Sequence, residues 1–160
     1  ELLRASMDLH QQLTVSLERE LEIAKAFTQL MSLRFVDRVE ISWHIAPECL
    51  ALPVPVMLLQ TLVENTFKHT VERRSALTKI EVHAVSYEHE WRLIVQDDAG
   101  QLRQDTAGIG LQNLRQRLAT LFGAGASLQI TQRADGGVCT EVNKKKMLLS
   151  SVGEASMGRA

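Results

Sequence analysis

Leu59-Gln60-Thr61-Leu62-Val63-Glu64-Asn65-Thr66-Phe67-Lys68-His69 is the stretch on which the reading of this chain turns. Placed on a helix at 100° per residue, Leu59, Leu62, Val63 and Phe67 occupy an arc of about 140°, and Glu64, Asn65, Lys68 and His69 an opposing arc of about 140°. The apolar arc predicts a face turned to a core. The polar arc gathers a carboxylate, a carboxamide, an ammonium and an imidazole, which together can orient a water or hydroxyl, ligate Mg2+ and meet phosphate oxygens. A merely solvated face is the ordinary alternative for any amphipathic helix; these residue types turn the reading toward chemistry.

Working outward, Pro53 and Pro55 punctuate the entry to this helix, predicted from about Val56 to His69, because proline is tolerated where the first turn needs no donor. Upstream, Val39, Ile41, Trp43 and Ile45 alternate with Glu40, Ser42 and His44, the period of a half-buried strand. Residues 2–35 are mostly strong helix formers, with a break expected near 11–16 and Ser16 as the cap of a second helix, Glu18 and Glu20 lying in its first turn. Downstream, Lys79–Val85 and Trp91–Val95 alternate as two more strands, the second ending at Asp97 and Asp98. Residues 98–107 have no period and read as a loop. Leu111, Leu114, Leu118, Leu121 and Phe122 then repeat at helical spacing, and Asp135-Gly136-Gly137 separates the two strands of a closing hairpin. Strands that follow one another without a crossover helix predict an α+β fold, a mixed sheet covered by helices on one face, rather than a doubly wound sheet. The expected divisions are a helical segment over 1–35, a compact domain over 36–143 and a disordered tail over 144–160.

Composition narrows the function classes. The chain has 160 residues, 45% hydrophobic and 23% charged, with a formal charge of -1, so it is an ordinary globular sequence with no broad basic surface for nucleic acid. No apolar stretch is long enough for a bilayer span, and no signal peptide opens the chain. Cys49 and Cys139 lie far apart, suggesting neither a zinc site nor a disulfide framework. His10, His44, His83 and His89 read as surface or linker histidines, with no metal-ligand spacing between them. Glu1 enters a helical pattern without a cap, as if sequence preceded it.

Two further features read as chemistry. Asp97 ends an apolar strand, where its carboxylate can accept a hydrogen bond from a purine amino group, although a strand-ending Asp is more often a turn former. Gly108 and Gly110 precede a long helix whose N-terminal amides and dipole favour phosphate, although a lone G-x-G is ordinarily a flexible loop. G-x-x-x-x-G-K-[ST] does not occur, so a P-loop is not available.

Taken together, L-x-x-L-V-E-N-x-x-K-H over 59–69 resembles the N box of the GHKL ATPases, in particular of LytS-type sensor histidine kinases. Leu17-x-x-Glu20-Leu21 through Leu33-Arg34-Phe35 and Pro53-x-Pro55-x-x-Leu58-Leu59-Gln60 resemble that family's lead-in. Asp97-Asp98-Ala99-Gly100 resembles the G1 box, Gly108-Ile109-Gly110-Leu111-x-Asn113-Leu114-x-x-Arg117-Leu118 the G2 box, and Gly136-Gly137 the closing hairpin. The resemblance spans roughly residues 2–143 and implies the Bergerat fold, a two-layer α/β sandwich. It implies that Asn65 binds Mg2+, that Glu64 polarises the attacking group or holds a Mg2+-bound water, and that Lys68 and His69 contact phosphates. Asp97 would read adenine, Gly100 would shape its pocket, and Gly108, Gly110 and Leu111 would form the lid and phosphate turn. The implied activity is protein-histidine kinase, with ATP as phosphoryl donor and the acceptor histidine upstream, since the family's His followed by a Phe-Leu-Phe-Asn-like run does not occur here. Implied partners are a second copy through the N-terminal helices and a cytoplasmic response regulator, with no nucleic acid. The domain would be cytoplasmic, reaching an inner membrane only through upstream segments. Ala99 and Gln101 occupy the glycine positions of the commoner D-x-G-x-G pattern. That departure motivates an alternative, a non-catalytic interaction domain that kept the fold; another GHKL ATPase or serine kinase is a second alternative.

Overall fold

A computed structural model describes residues 4, 13–106 and 108–146. The expected helix before the break and His10 lie outside the described residues, as do Ala107 and 147–160. In chain order the elements are β1 (Thr14–Ser16), α1 (Leu17–Arg34), β2 (Val39–Ile45), β3 (Pro53–Pro55), α2 (Leu58–Thr66), β4 (Thr78–Ser86), β5 (Glu90–Asp97), α3 (Ile109–Phe122), β6 (Ala126–Gln132) and β7 (Val138–Lys145). Short 3-10 turns follow β2 and α3, and a π turn, Phe67–Val71, continues α2.

Five strands form one sheet in the order β2-β4-β5-β7-β6. β2 and β4 run parallel, joined by a crossover that carries α2, and every other neighbour is antiparallel. Alternation assigns the two faces. Ile80, Val82 and Ala84 are buried while Glu81, His83 and Val85 are half-buried, so one face meets the helices and the other is open. The core joins Leu17, Leu21 and Ala24 of α1, Leu58, Leu59, Leu62 and Val63 of α2, Leu111, Leu114 and Leu118 of α3, and the inward residues of β4, β5 and β7. Phe67 sits at its centre, edge-on to Phe27 at 5.8 Å and tilted against Phe35 at 6.2 Å. The architecture is the α+β sandwich expected from the strand order. α1 shares this core, so no separate core divides residues 17–34 from the strands that follow.

Two local features differ from expectation. Pro53 and Pro55 do not open the helix. They form β3, paired antiparallel with β1, where a short two-stranded ribbon tolerates residues that lack an N–H. α2 begins instead after Met57, a left-handed residue with φ 67°, which caps without a side-chain hydrogen bond. Its first turn is satisfied by Glu20 of α1, which is 2% exposed and accepts from the Leu59 N–H at 3.1 Å. The Ser16 cap is in place, its Oγ accepting from the Arg19 N–H at 3.2 Å. At the far end β7 runs two residues beyond Asn143, and the Lys146 N–H donates to the His89 carbonyl at 2.8 Å, so the ordered chain extends past the expected boundary. Among the described residues, no helix is long and apolar enough to cross a membrane.

Candidate functional site

The sequence of α2 buries Leu59, Leu62, Val63 and Phe67 and leaves Glu64 and Lys68 exposed and Asn65 and His69 half-buried, as the two arcs require. From Phe67 the backbone widens into the π turn, where the Glu72 N–H reaches the Phe67 carbonyl at 2.9 Å, so Lys68 and His69 stand on a locally unwound segment. Glu64, Asn65, Lys68 and His69 face the start of α3. Together with Thr61, Gly108, Ile109, Gly110 and Leu111 they line a cavity of about 280 Å3.

Local chemistry on this side is suited to an anion. α3 opens at Gly108 with no side-chain cap and no acidic residue in its first turn, so the first amides and the positive end of the dipole are available to the cavity. Neither glycine is demanded by the protein's own packing: a Cβ at Gly110 would meet Thr61 Cγ2 at 3.5 Å and one at Gly108 the Asp105 carbonyl at 3.8 Å, both ordinary contacts. Burial, and then the Arg73 guanidinium, holds the His69 imidazole below its ordinary pKa, so at neutral pH it is an uncharged donor or acceptor. Its Nδ1 is buried and has no hydrogen-bond partner among the described residues. The cation on this face is therefore Lys68. Glu64 Oε1 accepts from Gln60 Nε2 at 3.0 Å.

Asp97 stands at the end of β5, 2% exposed. Its Oδ1 accepts from the amides of Gly100 at 2.5 Å, Ala99 at 3.0 Å and Val138 at 3.4 Å, and its Oδ2 from the Thr70 hydroxyl at 3.3 Å. Gly100 is sterically fixed there, since a Cβ would stand 2.5 Å from Thr70 Oγ1 and 2.8 Å from Asp97 Oδ1. The loop folds back over the carboxylate, and Asn65, His69, Thr70, Asp97, Gln101 and Thr106 enclose, with three further residues, a space of only about 10 Å3. Gln132 clamps the loop, accepting from the Leu102 N–H at 2.7 Å and donating to the Gly100 carbonyl at 3.2 Å, and Arg73 pairs with Asp105 at 2.8 Å. Asn65 and His69 line both spaces and so join the two sides.

Known proteins are similar to this chain in sequence and in fold. Sensor protein LytS of Staphylococcus haemolyticus is 33% identical over 129 residues, 72% of this chain and 22% of that protein. Sensor histidine kinase/phosphatase LytS of Staphylococcus aureus (strain Mu50) is 30% identical over 148 residues, 83% of this chain and 25% of that protein. Over this length the chain is related to the LytS sensor proteins. It spans about a quarter of the length of the curated relatives it matches. Solved structures agree on the fold of this LytS-type domain. The catalytic domain of histidine kinase ThkA superposes with a TM-score of 0.63 at 14% identity, over 83% of this chain and 96% of that one. ThkA in complex with the response regulator protein TrrA gives 0.60 at 14% identity, over 84% and 41%. Full-length ShkA in complex with AMPPNP gives 0.58 at 16% identity, over 84% and 31%. No family model matches the chain.

Several residues around this site escape a reading of the sequence. Thr70, Thr106 and Gln132 hold the Asp97 side through side-chain hydrogen bonds, yet threonine and glutamine carry no periodic signal. The surface reading of His44 and His83 is also incomplete. The parallel register sets them opposite each other with rings stacked at 4.6 Å, and Glu81 joins them. Ser42-x-His44 and Glu81-x-His83, each at period two, were the available signal.

Proposed function

We propose that this LytS-type domain binds ATP with Mg2+ and delivers the γ-phosphoryl group to a histidine located elsewhere in the full protein. One observation carries the reading: the polar face of α2 and the uncapped start of α3 bound a single cavity. Phosphoryl transfer requires alignment and charge neutralisation more than covalent help from the protein, and these groups supply both. The amides of α3 and the Lys68 ammonium receive phosphate oxygens, and neutral His69 can donate a hydrogen bond without adding charge. Bound Mg2+ would offset the charge of the triphosphate. Asn65 offers a carboxamide oxygen suited to a hard cation, and its place on both spaces fits it for a ligand that reaches from α3 toward Asp97. Glu64, beside it, would polarise the acceptor or hold a metal-bound water. The acceptor nitrogen forms its bond to phosphorus as the bond to the bridging oxygen breaks, and ADP keeps the electron pair.

At the other end Asp97 would accept from the adenine amino group, with Gly100 shaping the pocket. A purine needs far more than the 10 Å3 now open there, so residues 99–106 must withdraw for it to enter. The nucleotide of the ShkA complex and the TrrA of the ThkA complex support ATP as ligand and a response regulator as partner. A second copy would pair through the N-terminal helices, and the domain would lie on the cytoplasmic side of a membrane reached through other segments.

The closed Asp97 side favours a second reading, an interaction domain that no longer takes ATP. Calorimetry with Mg-ATP separates them. The kinase reading expects binding that weakens at least about tenfold in Asn65→Ala, with folding stability unchanged because Asn65 is off the apolar face. No binding at millimolar Mg-ATP supports the second reading instead, while equal affinity with and without Mg2+ removes Mg2+ and Asn65 from the first.

A further inference from the structure

On the open face of the sheet, away from the helices, two histidines and a glutamate converge without any part in nucleotide binding. The parallel register of β2 and β4 places His44 opposite His83 and Ser42 opposite Glu81, and the strand period turns all four side chains to the same face. One ligating atom from each of His44, Glu81 and His83 lies within 4.8 Å of the others. The imidazoles stack at 4.6 Å with an interplanar angle of 13°, and His83 Nε2 stands 3.1 Å from Glu81 Oε2. We propose that His44, His83 and Glu81 form a transition-metal site with the ligand chemistry of Zn2+.

Charge supports the choice of ligand. Among the described residues, the ion-pair partner of Glu81 is His83, with no Lys or Arg on its carboxylate. His83 Nε2 and Gln96 Nε2 both reach Glu81 Oε2, at 3.1 Å and 2.7 Å, so the carboxylate is held beside the histidines. Each of the two stacked imidazoles carries a ring nitrogen able to ligate a metal.

The supporting contacts are also those of a metal site. Gln96 Nε2 donates to Glu81 Oε2 at 2.7 Å and fixes the carboxylate, and His44 Nε2 lies 3.2 Å from Ser42 Oγ. Zinc holds nitrogen and oxygen ligands at about 2.0–2.2 Å, so ligand atoms on one ion lie at most about 4.4 Å apart. The three ligand atoms fall within 4.8 Å of one another, close to that reach, and His44, the exposed member, has room to turn its ring toward the other two. Two imidazoles and one carboxylate favour Zn2+, Cu2+ or Ni2+ over Mg2+ or Ca2+, so this site is chemically distinct from one that takes Mg-ATP. A fourth position is left for water or a ligand from another molecule.

The test is a zinc titration of the tag-free chain after treatment with a chelator, followed by calorimetry and by competition with a chromophoric chelator. We expect one zinc per chain, unaffected by excess Mg2+. Affinity should fall at least about tenfold in His44→Ala and in His83→Ala, while His89→Ala, an exposed histidine outside the cluster, leaves it unchanged. Co2+ should produce visible d–d bands in the parent protein that vanish in His83→Ala. Thermal melts of the variants, together with Glu81→Gln, which keeps a side chain of the same shape for Gln96, separate loss of ligand from loss of fold. Absence of zinc binding at submillimolar metal overturns the proposal. So does binding that survives both histidine substitutions, including binding lost only in Cys139→Ala.

Discussion

Between α2 and α3 the candidate site is open, about 280 Å3 beside an uncapped helix start, whereas around Asp97 about 10 Å3 remains and the carboxylate accepts four hydrogen bonds from its own chain. The glycines follow the same division. Gly108 and Gly110 have room for a side chain, so their lack of one serves approach from outside, while Gly100 and Gly137 are packed so closely against Asp97 that the fold itself requires them. Groups that folding leaves unsatisfied mark where a ligand supplies the missing partners. Groups that folding satisfies completely define a closed resting arrangement, and a ligand there must exchange one set of hydrogen bonds for another at small net gain per bond.

The largest effect that would test this contrast is expected at Gly137, where φ is 97° and a Cβ would overlap the Asp97 carbonyl oxygen. Gly137→Ala should lower unfolding free energy by roughly 3 kcal/mol in urea melts. A loss below about 1 kcal/mol would mean that the hairpin can shift away and that the Asp97 side is not rigid.

Next is Glu20, which holds the start of α2 beneath the open side. Glu20→Ala leaves the Leu59 amide without its partner and should cost about 1–3 kcal/mol. Burial raises the Glu20 carboxyl above its ordinary pKa, so ionisation costs the folded state more than the unfolded one. Its stabilising contribution is complete below the ordinary carboxylate value and is lost as pH rises through the raised one. Wild type should therefore lose ground to Glu20→Gln as pH climbs through that window in parallel melts. A difference independent of pH would remove the buried carboxyl from the account.

The smallest change in stability is expected on the open side. Gly110→Ala should leave unfolding free energy the same or raise it by up to about 1 kcal/mol, because alanine favours a helix and meets only Thr61. Its Mg-ATP affinity should nevertheless fall. Destabilisation comparable to that of Gly137→Ala would erase the distinction between the two sides.

Much of this arrangement was legible in the residues. The bounds of β2, the buried face of α2, the apolar stripe of α3 and the hairpin at Asp135-Gly136-Gly137 follow from hydrophobic period and turn chemistry, which are local properties of the chain. The order of those elements sufficed for the fold class. Misreading Pro53 and Pro55 as a helix entry has a plain cause: proline opens helices and also occupies edge strands, and only the pairing of β3 with β1 distinguishes the two.

The sequence by itself determined which faces are apolar and placed Glu64, Asn65, Lys68 and His69 on one side of one helix, because side-chain direction within an element is fixed by its repeat. Only the tertiary structure decided what those faces meet: Glu20 reaching Leu59 across 39 positions, Val138 closing on Asp97 across 41, and His44 set against His83 by the register of two parallel strands. Such contacts depend on how separate elements dock and slide against one another, and a one-residue change of register would turn every side chain of a strand to the other face.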